Sequence, residues 1–376
     1  AHPLKESREN PPTQNANRQS YTPKHLADKI LQSRSALEGE RKQVTVLFAD
    51  VKGSMELAEQ VDPEEWHRIL DRFFQILADG VHRFEGTVNQ YTGDGIMALF
   101  GAPIAHEDHA QRACYAALHL REELRRYADE LRRGGLNFST RMGLNSGEVV
   151  VGKIGDDLRM DYTAQGQTVG LAQRVEQLAE PGHVYLSQHT ARLIEGFFQL
   201  RDLGESKVAG ASESLRVYEL QGVGPLRTRL EASARRGLLR FVGRHREMEQ
   251  LQRAWEAARA GRGQIVAVLG EAGVGKSRLV YEFKRQLNGG CRVLEAFSVS
   301  HGKAYAYLPL LELLKGYFRI RIEDDERRRR EKITGTVLTL DRTLEDTLPY
   351  LFSLLGIGDR TGSLEQMDPQ IRRQRT

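Results

Sequence analysis

Residues 44–54 read VTVLFADVKGS and residues 86–103 read GTVNQYTGDGIMALFGAP, and these two stretches decide the fold of the first half of the chain. In the first, the run from Val44 to Ala49 is apolar or β-branched, which predicts a buried strand with Asp50 directly at its end. In the second, TVNQYT (87–92) and GIMALF (95–100) predict two strands about a tight turn. Gly93 supplies the positive φ that a two-residue hairpin wants, so Asp94 is presented at the tip. Two carboxylates so placed meet if their strands are sheet neighbours, and such a pair suits two Mg²⁺ or Mn²⁺ ions holding a triphosphate. Position alone leaves equal room for each aspartate merely capping its turn.

Working outward, Asp62-Pro63-Glu64-Glu65 predicts a helix start, continued at helical spacing by Trp66, Ile69, Leu70, Phe73, Leu77, Val81 and Phe84. Trp66, Phe73 and Phe74 are core candidates. A long amphipathic helix is expected from about Asp108, with Ala110, Ala113, Ala117, Leu124, Tyr127 and Leu131 on its apolar face and Gly134-Gly135 closing it. Next come a strand (FSTRMGL, 138–144), a hairpin around EVVVGKIG (148–155) and RMDYTA (159–164), a helix from Thr168 to about Ala179, and the strand VYLS (184–187). This order predicts an α+β sandwich with helices on one face of a mainly antiparallel sheet.

The stretches VTVLFADVKGS, GTVNQYTGDGIMALFGAP, TRMGLNSGEVVVGKIG, MDYTAQGQTVGLAQRVEQLA and VYEL resemble, in order and spacing, the signature segments of class III adenylate and guanylate cyclase domains, over essentially all of 41–222. The resemblance implies a ferredoxin-like cyclase sandwich. It also implies that Asp50 and Asp94 are metal ligands, with the backbone carbonyl of Val51 a further one, for two Mg²⁺ or Mn²⁺ ions per site. The implied reaction is attack of the ribose 3′ oxygen on the α-phosphate, giving a 3′,5′-cyclic nucleotide and pyrophosphate. One metal then lowers the pKa of the attacking hydroxyl while the other holds the phosphates. Arg174 matches the family's transition-state arginine. The family's site is shared between two chains, so a homodimer is implied.

Three positions depart from that pattern. Gln90 stands where a base-reading Lys is usual, with Thr163 at the partner base-reading position; an amide presents a donor or an acceptor edge, so the substrate is ATP or GTP. Gly170 replaces the family's catalytic Asn one helical turn before Arg174. The late phosphate-binding Lys is also missing, the chain reading Val208-Ala209-Gly210 with Lys207 displaced. Loss of an aimed amide costs about a hundredfold in rate by analogy with an oxyanion donor. The sequence therefore supports an adenylate cyclase, a guanylate cyclase, or a degenerate cyclase-homology module that binds nucleotide and dimerises without turnover.

Residues 223–240 read as a linker, and 241–376 as the first part of an α/β P-loop ATPase domain. Gly270-Glu271-Ala272-Gly273-Val274-Gly275-Lys276-Ser277 fits GxxxxGKS. QIVAVLG (264–270) before it predicts a buried strand, and a helix is expected from Gly275 towards Leu287. Backbone amides around Gly270, Gly273 and Gly275 would cradle ATP phosphates, Lys276 reach the β and γ positions and Ser277 hold Mg²⁺. Phe241-Val242-Gly243-Arg244 with Arg246-Glu247 resembles the opening of AAA-like and STAND signalling ATPases, a region that would meet a protein effector. The acidic strand end such ATPases need has one candidate, VLTLD (337–341), rejected because its surroundings look helical.

Among 376 residues, 55 Lys and Arg face 51 Asp and Glu, a net +4 with signs interspersed, which argues against nucleic acid or a membrane as main partner. No run of about 18 apolar residues exists. Two distant cysteines, Cys114 and Cys291, exclude a disulfide framework and predict a reducing, cytoplasmic setting. Residues 1–20 read as a disordered tail and 21–40 as a helical lead-in. A start at Ala1 and a polar stop at Thr376 read as a fragment. His106-Glu107-Asp108-His109 reads as helix capping rather than a metal site, and the run 323–332 as a solvated helix of paired charges.

Overall fold

In a computed structural model of the chain, the described residues are 40–151, 167–206, 214–271, 273–287, 291–297, 307–321 and 324–358. The tail, the lead-in short of Glu40, most of the hairpin expected at 148–164, Thr163, and Lys207 to Gly210 lie outside them. The chain divides into two compact units, Ala1–Gly224 and Pro225–Thr376.

The first unit is built on seven strands in the order β2-β3-β1-β4-β5-β7-β6. They are β1 (Glu40–Val51), β2 (Thr87–Tyr91), β3 (Gly95–Phe100), β4 (Thr140–Val151), β5 (Val184–Ser187), β6 (Phe198–Ser206) and β7 (Leu215–Val223). All pairings are antiparallel except β4 with β5. Among the described residues five helices intervene: α1 (Ser54–Ala58), α2 (Pro63–Arg83), α3 (His109–Arg133), α4 (Gln167–Leu178) and α5 (Gln188–Leu193).

The α2 helix starts where Pro63 sets the first turn and Glu64 and Glu65 meet the positive end of the dipole. Its core face is Ile69, Phe73, Phe74, Leu77 and Val81; Trp66, expected with them, is only half-buried, since it lies on the first turn beside exposed neighbours. In α3 the face toward the sheet is largely alanine, with Cys114 buried among it as expected. Burial raises the Cys114 thiol pKa far above its usual range.

Helices cover both faces of the sheet, not one. Thr45 bonds His109 at the start of α3, at 2.8 Å, while its neighbours Val44 and Val46 pack with Val169 and Ala172 of α4. Successive strand residues point to opposite faces, so α3 and α4 lie on opposite sides. The unbroken burial from Val44 to Ala49 is the pattern of a strand covered twice.

The second unit contains α6 (Arg229–Arg236), α7 (His245–Arg259), α8 (Lys276–Gln286), α9 (Leu308–Tyr317), α10 (Glu326–Leu340) and α11 (Leu348–Leu354). Its core is small: Phe318, Ile333, Val337, Leu348, Leu355 and Ile357. The stretch read as a linker contains α6, started by a reciprocal capping box between Thr228 and Glu231. The buried strand expected at 264–270 does not form: Ile265 is fully exposed and Leu269 is 90% exposed. Among the described residues this unit has no strand, so the segment has no ladder partner to bury it. VLTL of the rejected acidic motif lies inside α10, as its helical surroundings implied, and the charge run opens that helix with Arg327–Glu331 and Arg330–Glu326 pairs.

Candidate active site

Asp50 is the penultimate residue of β1, paired with Gly95 of β3 on one side and Arg141 of β4 on the other. Only glycine fits opposite it: a Cβ on Gly95 would stand 2.3 Å from the Ala49 carbonyl oxygen and 2.8 Å from Asp50 Cβ. Asp94 precedes that glycine in the expected two-residue turn, where Gly93 has φ of 93° and the Thr92 amide donates to the Gly95 carbonyl at 2.9 Å. The Val51 amide in turn donates to the Asp94 carbonyl at 3.0 Å, fastening the hairpin tip to the end of β1. The register thus brings Asp50, Val51 and Asp94 together. Ser54, the first residue of α1, donates its hydroxyl to Asp94 Oδ2 at 2.6 Å.

Two further charged groups join this site. Arg141 grips both oxygens of Asp50, Nε to Oδ1 at 2.9 Å and Nη2 to Oδ2 at 3.0 Å. Its Nε also stands 2.5 Å from Glu176 Oε1 on α4. Glu176 is almost fully buried, and that burial, with the Asp50 charge beside it, pushes its carboxyl up to about 8. Neither residue was anticipated. The signal was present: alternate β4 residues toward α4 are Arg141, Gly143, Asn145 and Gly147, polar or small where a strand covered by a helix normally carries aliphatics. The glycines let α4 lie almost backbone to backbone on β4, and the Asn145 amide holds its first turn through the Thr168 carbonyl at 2.8 Å.

Arg174 and Gly170 lie one turn apart on α4. Glu176 follows Arg174 by two residues, about 200° around the helix, and turns to Arg141 while Arg174 turns elsewhere. Among the described residues no hydrogen bond or ion pair joins Arg174 to either aspartate. A Cβ added to Gly170 meets nothing within 4 Å. Gln90 is the penultimate residue of β2, beyond a bulge at Asn89, and is exposed.

Asp50, Asp94 and the Val51 carbonyl form an oxygen-only donor set, the kind Mg²⁺ and Mn²⁺ take. Among the described residues no group of three or more His, Cys, Asp or Glu is arranged for a metal. A two-carboxylate site fits a cation that draws its remaining ligands from phosphates and water.

In the second unit, Gly273 and Gly275 take φ of 83° and 92°, and α8 begins at Lys276. Lys276 Nζ donates to the carbonyls of Gly270 at 2.9 Å and Glu271 at 2.8 Å, across the loop it would close on a phosphate. Ser277 is exposed beside it, and Arg244 donates to the Val274 carbonyl at 3.1 Å.

Residues 38–222 match the family model described as the adenylate and guanylate cyclase catalytic domain. The first unit belongs to this cyclase family. Residues 240–369 match the AAA ATPase domain model. The chain is 34% identical over 211 residues to "Adenylate cyclase 1" of Rhizobium meliloti, covering 54% of this chain and 31% of that protein. The chain thus spans about a third of the length of that curated relative. Among solved structures it is similar to the adenylyl cyclase CyaB from P. aeruginosa, 32% identical, covering 49% of this chain and 96% of that one, TM-score 0.47. The guanylyl cyclase Cya2 is 30% identical, with 50% and 96% covered and a TM-score of 0.46. Residues 38–222 are thus a cyclase catalytic domain by family. No helix among the described residues is long and apolar enough to cross a membrane.

Proposed function

We propose that the first unit is an adenylate cyclase, converting ATP to 3′,5′-cyclic AMP and pyrophosphate, and that the P-loop unit binds a second ATP with Mg²⁺ to regulate it. The observation that carries this is the convergence of Asp50, Asp94 and the Val51 backbone through the β1–β3 register and the Gly93–Asp94 turn. Asp50 and Asp94 would hold two divalent cations, which when bound would supply charge for the triphosphate and acidity for the ribose 3′ hydroxyl. Asp50 and Asp94 provide the oxygen ligands. Arg141 brings a permanent positive charge beside them, where phosphate oxygens need one. The 3′ oxygen forms its bond to the α-phosphorus, the bond to the β-phosphate oxygen breaks, and the hydroxyl proton leaves to solvent. Arg174, facing away from the aspartates of its own chain, serves a second copy's site in a homodimer. Gln90 and Thr163 read the base. The setting is the cytoplasm, with both thiols unpaired, and an effector protein acts through the ATPase unit.

A second reading is favoured by Gly170, which leaves the open position on α4 without a side-chain amide: a cyclase-homology module that binds nucleotide without turnover. Incubating the purified chain with Mn²⁺ and either ATP or GTP, with product identification, separates the readings. Cyclic AMP that disappears in Asp94→Ala is expected. Cyclic GMP alone would make it a guanylate cyclase, and no cyclic product at millimolar nucleotide would leave the non-catalytic module.

A further inference from the structure

We infer that Ser54 is a positioning residue for the second metal carboxylate, holding Asp94 in the orientation that binds the cation; this rests on the two-aspartate reading above. The chain is shaped to bring the hydroxyl there. After Val51 ends β1, Gly53 adopts φ of 69°, a left-handed conformation that favours glycine. The reversal starts α1, whose first residue is Ser54, and its Oγ donates to Asp94 Oδ2 at 2.6 Å. A hydroxyl-to-carboxylate bond of that length is charge-assisted, which makes it strong as well as directional.

Asp94 needs such a partner more than Asp50 does. Asp50 is fixed by both arms of Arg141, whereas Asp94 rides on a two-residue turn and Ser54 makes its side-chain hydrogen bond; among the described residues Oδ1 receives none. The hydroxyl therefore satisfies one oxygen, restricts rotation of the carboxylate and leaves the other oxygen for a cation. It does so without adding charge, so the negative potential that draws the cation is undiminished. Partners of this sort, one bond behind the ligand, are worth about 10- to 100-fold in metal affinity.

The test is Mn²⁺ titration of the whole chain without nucleotide, following free Mn²⁺ by its electron paramagnetic resonance signal, with thermal unfolding measured alongside. Ser54→Ala is expected to weaken the Asp94-dependent binding by about 10- to 100-fold, with an unchanged melting temperature, and Ser54→Thr to keep wild-type affinity. Affinity unchanged in Ser54→Ala while Asp94→Ala loses binding would overturn the role of Ser54 and leave the metal site standing. A large fall in melting temperature for Ser54→Ala would make the contact structural and equally overturn it. No binding in the wild type, or binding that survives Asp94→Ala, would overturn the site reading itself, and this inference with it.

Discussion

Gly143 of β4 lies directly beneath Glu176 of α4, so close that a Cβ on the glycine would stand 2.2 Å from the Glu176 amide nitrogen and 2.4 Å from its Cα. Neither neighbour is the far end of a flexible chain. The Gly143→Ala variant must lift or tilt α4, and with it Glu176 and the grip on Arg141. Overpacking of this kind costs about 1–3 kcal/mol. Thermal unfolding should show that loss, and cyclase turnover should fall further than stability does; an unperturbed melting curve would show that α4 is not seated as described.

Gly170 sets the opposite expectation. Its Cβ position is open, so Gly170→Asn fits without moving the helix, and replacing glycine in a helix gains a few tenths of a kcal/mol. If the missing amide is what limits the chemistry, cyclic nucleotide formation rises by about a hundredfold. An unchanged rate in a well-folded variant would place the limit elsewhere, with the Gln90 and Val208–Gly210 departures next in line.

Arg112 is almost completely buried, its Nε bonded to Asp108 at 2.7 Å and its Nη1 to Glu85 at 3.0 Å and to the Phe84 carbonyl at 3.5 Å. It ties α3 to the corner between α2 and β2, where Glu85 has φ of 60°. Arg112→Ala leaves buried acceptors behind and should cost about 3–5 kcal/mol. Chemical denaturation checks it, and a loss below about 1 kcal/mol would show that water replaces the guanidinium.

Two histidines of α3 make stability depend on acid. His109 and His119 are both held below the ordinary histidine pKa, chiefly by burial; Asp108 offsets part of the effect at His109, and Arg83 adds to it at His119. The unfolded chain then binds protons more readily than the folded one. Their stabilisation is complete above about pH 6.5 and is lost as pH falls below it. Glu176, raised to about 8, acts in the opposite direction over this range, so the histidine effect is read in a Glu176→Gln background. Melting temperature there should drop between about pH 7.5 and about pH 5.5, and His109→Asn, which keeps a polar atom near Thr45, should drop less steeply. Parallel profiles would remove His109 as a cause.

Lys276 spans its own loop through two carbonyls. In an Asp94→Ala background, which silences the cyclase site, Lys276→Ala should weaken ATP binding to the second unit by about 10- to 100-fold, the value of one charged hydrogen bond. Equal affinity with and without the lysine would mean the loop does not hold the phosphates.

Much of this site was legible because it is local. Gly93 and the loop glycines 273 and 275 each announce a left-handed backbone that few other residues take, and the apolar run before Asp50 announces its strand. Arg141 and Glu176 were not legible, since their meeting depends on the β1–β4 register and on how closely α4 approaches β4, both non-local. The α6 helix was spelled out at its start by Thr228 and Glu231, yet none of its residues is buried, so no apolar stripe marked it. The segment 264–270 shows the converse: an apolar run specifies a strand only in company, and among the described residues Ile265 stands fully exposed.

The Gly93–Asp94 turn has consequences for length as well as for residue type. Its two ends are stapled, Thr92 to Gly95 within the hairpin and Asp94 to Val51 outside it. Each added residue extends a strand by about 3.3 Å and reverses the face its side chain takes. A single insertion there would leave every strand of the sheet intact and carry the carboxylate away from its partner. The hairpin acts as a ruler, and chemistry here is as sensitive to a miscounted residue as to a substituted one.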